Sequence, residues 1–540
     1  MPNSLSAQIP RAFIRAFLRA FLRAFIVGGA ILMELVVTNL LRLPVAEAFI
    51  IDSSEVPWTS TASGTRNANG DPATITWSLV PDGTTIRDGS GASLGGSNLI
   101  SFLNGTLGGN SSQTDPTQQP WFPLLADSFD RWSQLGGVTY QYEPNDDGGV
   151  QSVGNGQLGV RGDIRIGGAP IDGPSGTLAF SFLPSSGSDI VLDTNDGSFF
   201  ANAGGDHVRL RNTLAHELGH GFGLQHVISN TDNLLMAPLI NTTFDGPQLD
   251  EVRGIQFHFG DRFEKSHAGL GNGSAALATD LGVIPTGSTI NLGADANVSD
   301  QAIGANATDF VSISNLSDTD FFSFSTTGPA QLDALLTPRG GTFDQASEGH
   351  TPVLFNASAR SDLTLTVLAA DGSQVLAMAN LAGLGEAESI VNLDLPSAGS
   401  YFAEVTGADD TIQLYELDLS VTAMVFLSAD FNTDSAVDSN DLLLWKSALG
   451  SIAGADADGD GDTDGGDFLA WQQQFGRLPV PPALAAVPEP ATAMLALLAV
   501  LLLDRNGRAR AHGPTSRWNL WCADAMPSRM WDSGTPGPPA

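Results

Sequence analysis

His216-Glu217-Leu218-Gly219-His220-Gly221-Phe222-Gly223-Leu224-Gln225-His226 is the stretch on which the reading of this chain turns. Two histidines four residues apart stand on one face of a helix, about 6 Å apart along its axis, so both imidazoles can bind one zinc ion. Glu217 adjoins the first of them and can reach water at the metal without being a ligand. Gly223 turns to positive φ at little cost. It lets the chain leave the helix sharply and return His226 as a third ligand. Three protein ligands leave a fourth position for water, which marks a catalytic rather than a structural zinc site. Ten residues past His226, Leu235-Met236-Ala237-Pro238 supplies a Met-x-Pro that fits a floor beneath the metal. Leu210, Leu214 and Leu218 recur every four residues and form the stripe that buries the helix.

The extended pattern and its Met-turn (Met236, Pro238) are a metzincin signature. The flanks resemble the matrixin catalytic domain from about Ile75 to Gly260. Thr74 to Val80 is similar to its first strand. Trp121 to Leu135 is similar to its first helix, with Leu125, Phe129 and Trp132 at helical spacing. Val138 to Tyr142, Asp163 to Ile166 and Asp189 to Asp193 read as further strands, and Gly254-Ile255-Gln256 resembles the start of the last helix. Asp172 to Ala179 resembles the family's calcium loop running into the edge strand that pairs with substrate. The resemblance implies an α+β zinc endopeptidase in which His216, His220 and His226 hold the metal, Glu217 is the base and the strand at Ala179 binds the substrate backbone. It also implies calcium held by Asp172, Asp193 and Asp196 with the carbonyls of Gly173, Ser175 and Thr177, an oxygen-only set suited to a hard cation.

The departures from that pattern carry expectations too. Phe180 and Val191 stand where matrixins place histidines for a second, structural zinc, so that site is expected to be absent. Val227 follows the third ligand where matrixins usually carry Ser. The cysteine-containing prodomain switch is missing, because the sole Cys is Cys522. An insert from about Gly83 to Pro120 has no counterpart. Asp206 reads as the N-cap of the zinc helix, just before His207. His258 falls in the domain's last helix, and His267, His350 and His512 have no ligand spacing.

The chain has 540 residues, with 59 acidic and 24 basic side chains and a net charge of −35. That balance argues against nucleic acid or an anionic surface as partner. It suits an extracellular protein, a saline habitat or heavy calcium loading. A single Cys rules out a disulfide framework but not secretion. Residues 1–48 read as a secretory signal: Arg11-Ala12-Phe13-Ile14 recurs with small variation, an apolar run follows, and Ala46-Glu47-Ala48 offers a cleavage site. An amphipathic surface helix or a misplaced start codon are the alternatives. At the other end, Val487-Pro488-Glu489-Pro490, the apolar run Ala491 to Leu503 and three arginines by Arg510 resemble a PEP-CTERM sorting signal (487–510). Thirteen apolar residues are short for a membrane span of about 20, so membrane contact is expected only through this signal. The tail, 511–540, holds the Cys and three of the nine Trp and reads as a frameshift or readthrough product.

Between these ends the chain reads as multidomain: a metzincin-like catalytic domain (49–262), an antiparallel β-sandwich (272–422) and a small α module of paired calcium loops (428–476). Ser317 to Phe324 and Gly399 to Val405 resemble the best-marked strands of the bacterial pre-peptidase C-terminal domain. Asp430, Asn432, Asp434, Asp438 and Asp441 occupy positions 1, 3, 5, 9 and 12 of a calcium loop. Asp456, Asp458, Asp460, Asp464 and Asp467 repeat them, with Asp462 at position 7. This period places oxygens around one cation. An apolar helical run follows each loop, with Trp445 and Trp471 in equivalent places, and the pair resembles a type I dockerin, implying a cohesin-like partner. The whole reads as an exported, bacterial, calcium-stabilised zinc endopeptidase acting on extracellular proteins. Its rivals are a surface adhesion or matrix protein with a vestigial protease domain and a dockerin-mediated assembly subunit.

Overall fold

The computed structural model describes residues 49–476, apart from 52–57, 67, 152–155, 231–232, 425–426, 435 and 452–453. The expected leader, sorting signal and tail lie outside the described residues. No helix among the described residues is long and apolar enough to cross a membrane.

A five-stranded sheet carries the first region, the one expected to be catalytic. Its strands are β1 (Ala73–Leu79), β2 (Val138–Tyr142), β3 (Ile164–Ala169), β4 (Ala179–Ser181) and β5 (Ile190–Asp193), in the order β2-β1-β3-β5-β4. All neighbours are parallel except β4, which pairs antiparallel with β5 at the edge. Strands β1, β3 and β5 are buried almost throughout, as central parallel strands must be. Against the sheet lie helices α1 (Leu99–Leu107), α2 (Phe122–Leu135) and α3 (Val208–His220), and α4 (Leu249–Phe259) packs on α2. Trp77 of β1 stacks on Phe129 of α2 at 4.3 Å, and the Trp132 indole N–H donates to the Ala215 carbonyl of α3 at 3.1 Å. These contacts fix α3 over the sheet.

The insert at 83–120 forms a short hairpin (Thr85–Arg87 with Ser93–Gly96) that leads into α1, which buries Leu99 and Leu103. Two local expectations are corrected. Helix α4 begins five residues before Gly254, because Gln248 and Glu251 form a reciprocal capping box at its start. Asp206 does not cap α3. The cap position is His207, and both residues sit at positive φ, so the backbone turns there without a side-chain cap.

Strand β6 (Val227–Ile228) follows the third histidine. Beyond α4 the chain builds two packed sheets from β7 (Thr279–Val283), β8 (Ser288–Leu292), β9 (Val311–Ile313), β10 (Thr319–Thr326), β11 (Ala330–Arg339), β12 (Thr342–Ser347), β13 (Val353–Asn356), β14 (Leu363–Leu368), β15 (Val375–Ala379), β16 (Glu388–Leu395), β17 (Gly399–Gly407) and β18 (Gln413–Ala423). One sheet runs β7-β10-β17-β14-β15, the other β8-β18-β11-β16 with β9 on β18. The two strands singled out in the sequence, β10 and β17, are direct neighbours, with Phe324 opposite Tyr401. Among the described residues of the sandwich, β7 with β10 is the one parallel pair, a departure from the expected all-antiparallel arrangement. Strands β12 and β13 leave the sandwich as a hairpin arm, and β12 pairs with β6 of the catalytic region. Phe343 and Phe355 of the arm join the apolar cluster that also contains Leu214, Phe222 and Ile255. The two regions therefore share a core.

The final module consists of α5 (Ser439–Ala448) and α6 (Gly465–Gln474), each entered through an acidic loop. Asp438 and Asp464 cap the helices, with Asp441 and Asp467 completing capping boxes. The Trp445 indole donates to the Asp464 carbonyl and the Trp471 indole to the Asp438 carbonyl, both at 2.8 Å. Each helix thus locks onto the other's loop.

Four carboxylates are packed at the seam between the catalytic region and the sandwich. Oxygens of Glu264, Asp318 and Asp320 lie within 4.8 Å of one another, and Asp261 accepts the amides of Phe263 and Ser312 beside them. Burial, and then the neighbouring charge of Asp318, pushes Glu264 up to about 9; burial pushes Asp261 up to about 7. The folded chain therefore holds protons here that the unfolded chain releases. The contribution is fully present below the ordinary value of 4.5 for Glu264 and is lost as pH rises through about 9. With chelator present, we expect the melting temperature to fall more steeply between pH 5 and 9 in the unaltered chain than in Glu264→Gln, by about 2–4 °C. Parallel melting profiles for the two chains would show that Glu264 carries no such proton.

Candidate active site

Helix α3 delivers His216, Glu217 and His220 to the floor of a cleft of about 780 Å³. Leu210, Leu214 and Leu218 are fully buried on its inner face, so the histidine face must look the other way. The helix ends at His220. Gly223, at φ +86°, lets its own N–H return to the His220 carbonyl at 2.8 Å, and the Leu224 N–H reaches the Gly219 carbonyl at 3.1 Å. This reversal brings His226 back over the helix.

Each imidazole is held by its outer nitrogen. Nδ1 of His216 lies 2.7 Å from the Leu235 carbonyl, Nδ1 of His220 2.7 Å from the Leu224 carbonyl, and Nδ1 of His226 2.8 Å from Glu348 Oε2. Carbonyl and carboxylate oxygens only accept, so each Nδ1 carries the proton and each Nε2 keeps a bare lone pair. The three Nε2 atoms converge: His226 is 3.3 Å from His216 and 3.2 Å from His220. Three lone pairs at that distance repel unless a cation sits among them. Tetrahedral zinc with nitrogens at about 2.0–2.1 Å would hold them about 3.3 Å apart, so the residues present fit the ion. Burial lowers His216 to about 3 and His220 to about 4, which keeps both rings neutral and able to ligate.

Glu217 is buried, and its Oε2 has no hydrogen-bond partner among the described residues although the side chain lines the cleft. Burial alone pushes its carboxyl up to about 8, and a cation beside it pulls the other way. Met236 is fully buried under α3. A Cβ on Gly219 would collide with Met236 Sδ, so this glycine lets the Met-turn close up to the helix. Pro238 follows at the cleft wall.

The other expected residues fall as follows. Ala179 opens the edge strand β4 and lines the cleft. Asp172, Asp193 and Asp196 surround the loop before β4: they accept the amides of Thr177, Ile171 and Ser175 respectively, and Asp196 Oδ2 is buried without a partner among the described residues. In the last module, carboxylate oxygens of Asp430, Asp434 and Asp441 gather within 4.8 Å, as do those of Asp456, Asp458 and Asp460, and of Asp460, Asp462 and Asp464. Asn432 Oδ1 turns back to the Asp434 amide, and Asp467 accepts the amides of Ala457 and Asp464.

Sequence reasoning missed three groups at the site. Glu251 holds the Met-turn, its Oε1 accepting the Met236 amide at 2.9 Å while Oε2 accepts Gln248 N in the capping box. A Gln in place of the usual Ser, Thr or Asp cap hid that signal. Gly219 was read only as a spacer, although glycine inside a helix costs about 1 kcal/mol and asks for a packing reason. Glu348 has no local signal at all, since it stands 122 residues from the histidine it touches.

Residues 121–260 match the family model for Matrixin. Interstitial collagenase of Bos taurus is 38% identical over 104 residues, 19% of this chain and 21% of that protein. Metalloendoproteinase 2-MMP of Arabidopsis thaliana is 32% identical over 147 residues, 25% of this chain and 36% of that protein. Matrix metalloproteinase-16 of Homo sapiens is 30% identical over 147 residues, 25% of this chain and 23% of that protein. The chain thus spans about a fifth to a third of the length of these relatives. Among solved structures, the pre-peptidase C-terminal domain of collagenase from Bacillus anthracis aligns with 27% of this chain and 96% of that one, at 14% identity and a TM-score of 0.16. Over residues 121–260 the chain is similar to the matrixin domain and to these metalloproteinases.

Proposed function

We propose that this protein is an exported zinc endopeptidase that cleaves extracellular proteins. The observation that carries the reading is the convergence of three Nε2 lone pairs, each enforced by an acceptor on Nδ1, beside a buried carboxylate with a free oxygen. His216, His220 and His226 would hold the zinc. When bound, the ion supplies Lewis acidity, polarising the scissile carbonyl and lowering the pKa of water toward about 7. Glu217 takes a proton from the water that attacks the carbonyl carbon. As the C–N bond breaks, it passes that proton to the leaving amine. Met236 provides an apolar floor. The outer edge of β4, unpaired beyond Ala179–Ser181 in the sheet order, binds an extended substrate backbone by adding it as a further strand.

Calcium belongs to the same reading. The buried orphan oxygen of Asp196 favours a cation within the Asp172 loop, and the two acidic loops of the last module gather oxygens at ligand spacing. Leu443 and Leu469 stand exposed on α5 and α6. They favour a second reading in which this module docks a partner. Retention of such a partner that is lost in Asp430→Ala with Asp456→Ala would support assembly as an added task.

The full chain should cleave casein with about one zinc bound at the histidines, and Glu217→Gln should keep the zinc while losing at least about a hundredfold in rate. A Glu217→Gln chain that still cleaves ends the mechanism. An unaltered chain with no zinc moves the adhesion reading to first place. By calorimetry, Asp441→Ala combined with Asp467→Ala should bind about two fewer calcium ions; unchanged stoichiometry would remove calcium from those loops.

A further inference from the structure

The arm formed by β12 and β13 belongs to the sandwich in sequence but reaches the metal site in space. Val227 and Ile228, the two residues after the third histidine, pair with Ser347 and Ala346 of the arm. Asp344 of the arm accepts the Ser229 hydroxyl at 2.9 Å and the Asn230 amide at 3.1 Å. Phe343 and Phe355 anchor its base in the shared core, and the Arg253 guanidinium lies 5.0 Å over the Phe355 ring. So anchored, the arm ends at Ser347 and Glu348, both of which line the cleft.

We infer that Glu348 is a positioning residue for His226, supplied to the site by the accessory sandwich. His216 and His220 have their Nδ1 protons fixed by backbone carbonyls of the catalytic region itself. Among the described residues, the acceptor on His226 Nδ1 is no backbone carbonyl but Glu348 Oε2, at 2.8 Å. A carboxylate on Nδ1–H sets the tautomer, holds the ring plane and makes Nε2 a stronger donor to a metal. Glu348 reaches the outer nitrogen of His226, and the Nε2 atoms face one another. The sandwich is in this view part of the active site, and removing or loosening its arm leaves the third ligand unheld.

The inference rests on the zinc reading, and zinc affinity separates the two. It is measured on the full-length chain by competition with a chromophoric chelator, using zinc alone as probe. Glu348→Ala should weaken zinc binding about tenfold, the low end for such partners because the Glu348 side chain is 60% exposed. Glu348→Gln keeps an acceptor oxygen and should recover most of the loss. The melting temperature of the zinc-free chain should be the same in all three, as expected for an exposed side chain. Asp344→Ala, which removes the contacts of the arm to Ser229 and Asn230 without touching a histidine, should weaken zinc in the same direction. A Glu348→Ala chain that binds zinc like the unaltered protein overturns the inference and leaves the metallopeptidase reading standing, as does a Gln variant no better than Ala. Failure of the unaltered chain to bind zinc overturns both.

Discussion

Everything at the three-histidine site depends on where three imidazole protons sit. A histidine ligates through a bare nitrogen, and which nitrogen is bare is set by what accepts from the other. Here the acceptors come from three separate pieces of chain: Leu235 in the Met-turn, Leu224 just past the end of α3, and Glu348 on the sandwich arm. The Met-turn must press against α3 for the first to form, and Gly219 makes that approach possible. The turn at Gly223 must reverse within a few residues for the second. The third requires that two regions with separate sheets share one core.

This constraint explains features that otherwise look decorative. Glu251 spends both carboxylate oxygens on backbone amides, one in the cap of α4 and one at Met236, so the last helix of the catalytic region is tied to the floor of the site. Residues ahead of β1 are drawn in as well. The Ile50 carbonyl accepts the Gln225 amide at 2.7 Å, and the Trp58 indole donates to the Gly221 carbonyl at 2.8 Å. The turn that carries His226 is thus braced from both sides. Phe49 is buried against Phe257 and Arg253, which places the start of the described chain in the same core.

The accessory regions divide by how they hold together. The sandwich closes on a large apolar interior of its own, and its arm adds apolar anchors to the catalytic core. The paired-loop module has almost no apolar interior: Leu443, Leu449, Leu469 and Phe475 are exposed, and the groups buried at its helix starts are Asp441 and Asp467. Its order comes from reciprocal caps and the two indole bonds. An element built this way depends more on polar contacts than on buried apolar area.

The local order of the site was legible in the sequence. Four-residue spacing puts His216 and His220 on one helix face because a helix turns 100° per residue, and the Leu210, Leu214, Leu218 stripe says which face is buried. Three strands of the sheet, at 138–142, 163–166 and 189–193, and the doubled acidic loops read from the local sequence, whereas the first strand and the edge strand at Ala179 came from the resemblance to the matrixin domain. Helix starts were less legible, since Gln248 and His207 are unusual caps and their geometry depends on neighbours distant in sequence. Tertiary structure alone decided the rest: the packing reason for Gly219, the double use of Glu251, and the meeting of Glu348 with His226. Hydrophobic periodicity and ligand spacing are short-range signals, whereas a hydrogen bond across 122 residues depends on the packing of Phe343 and Phe355, which no local pattern encodes.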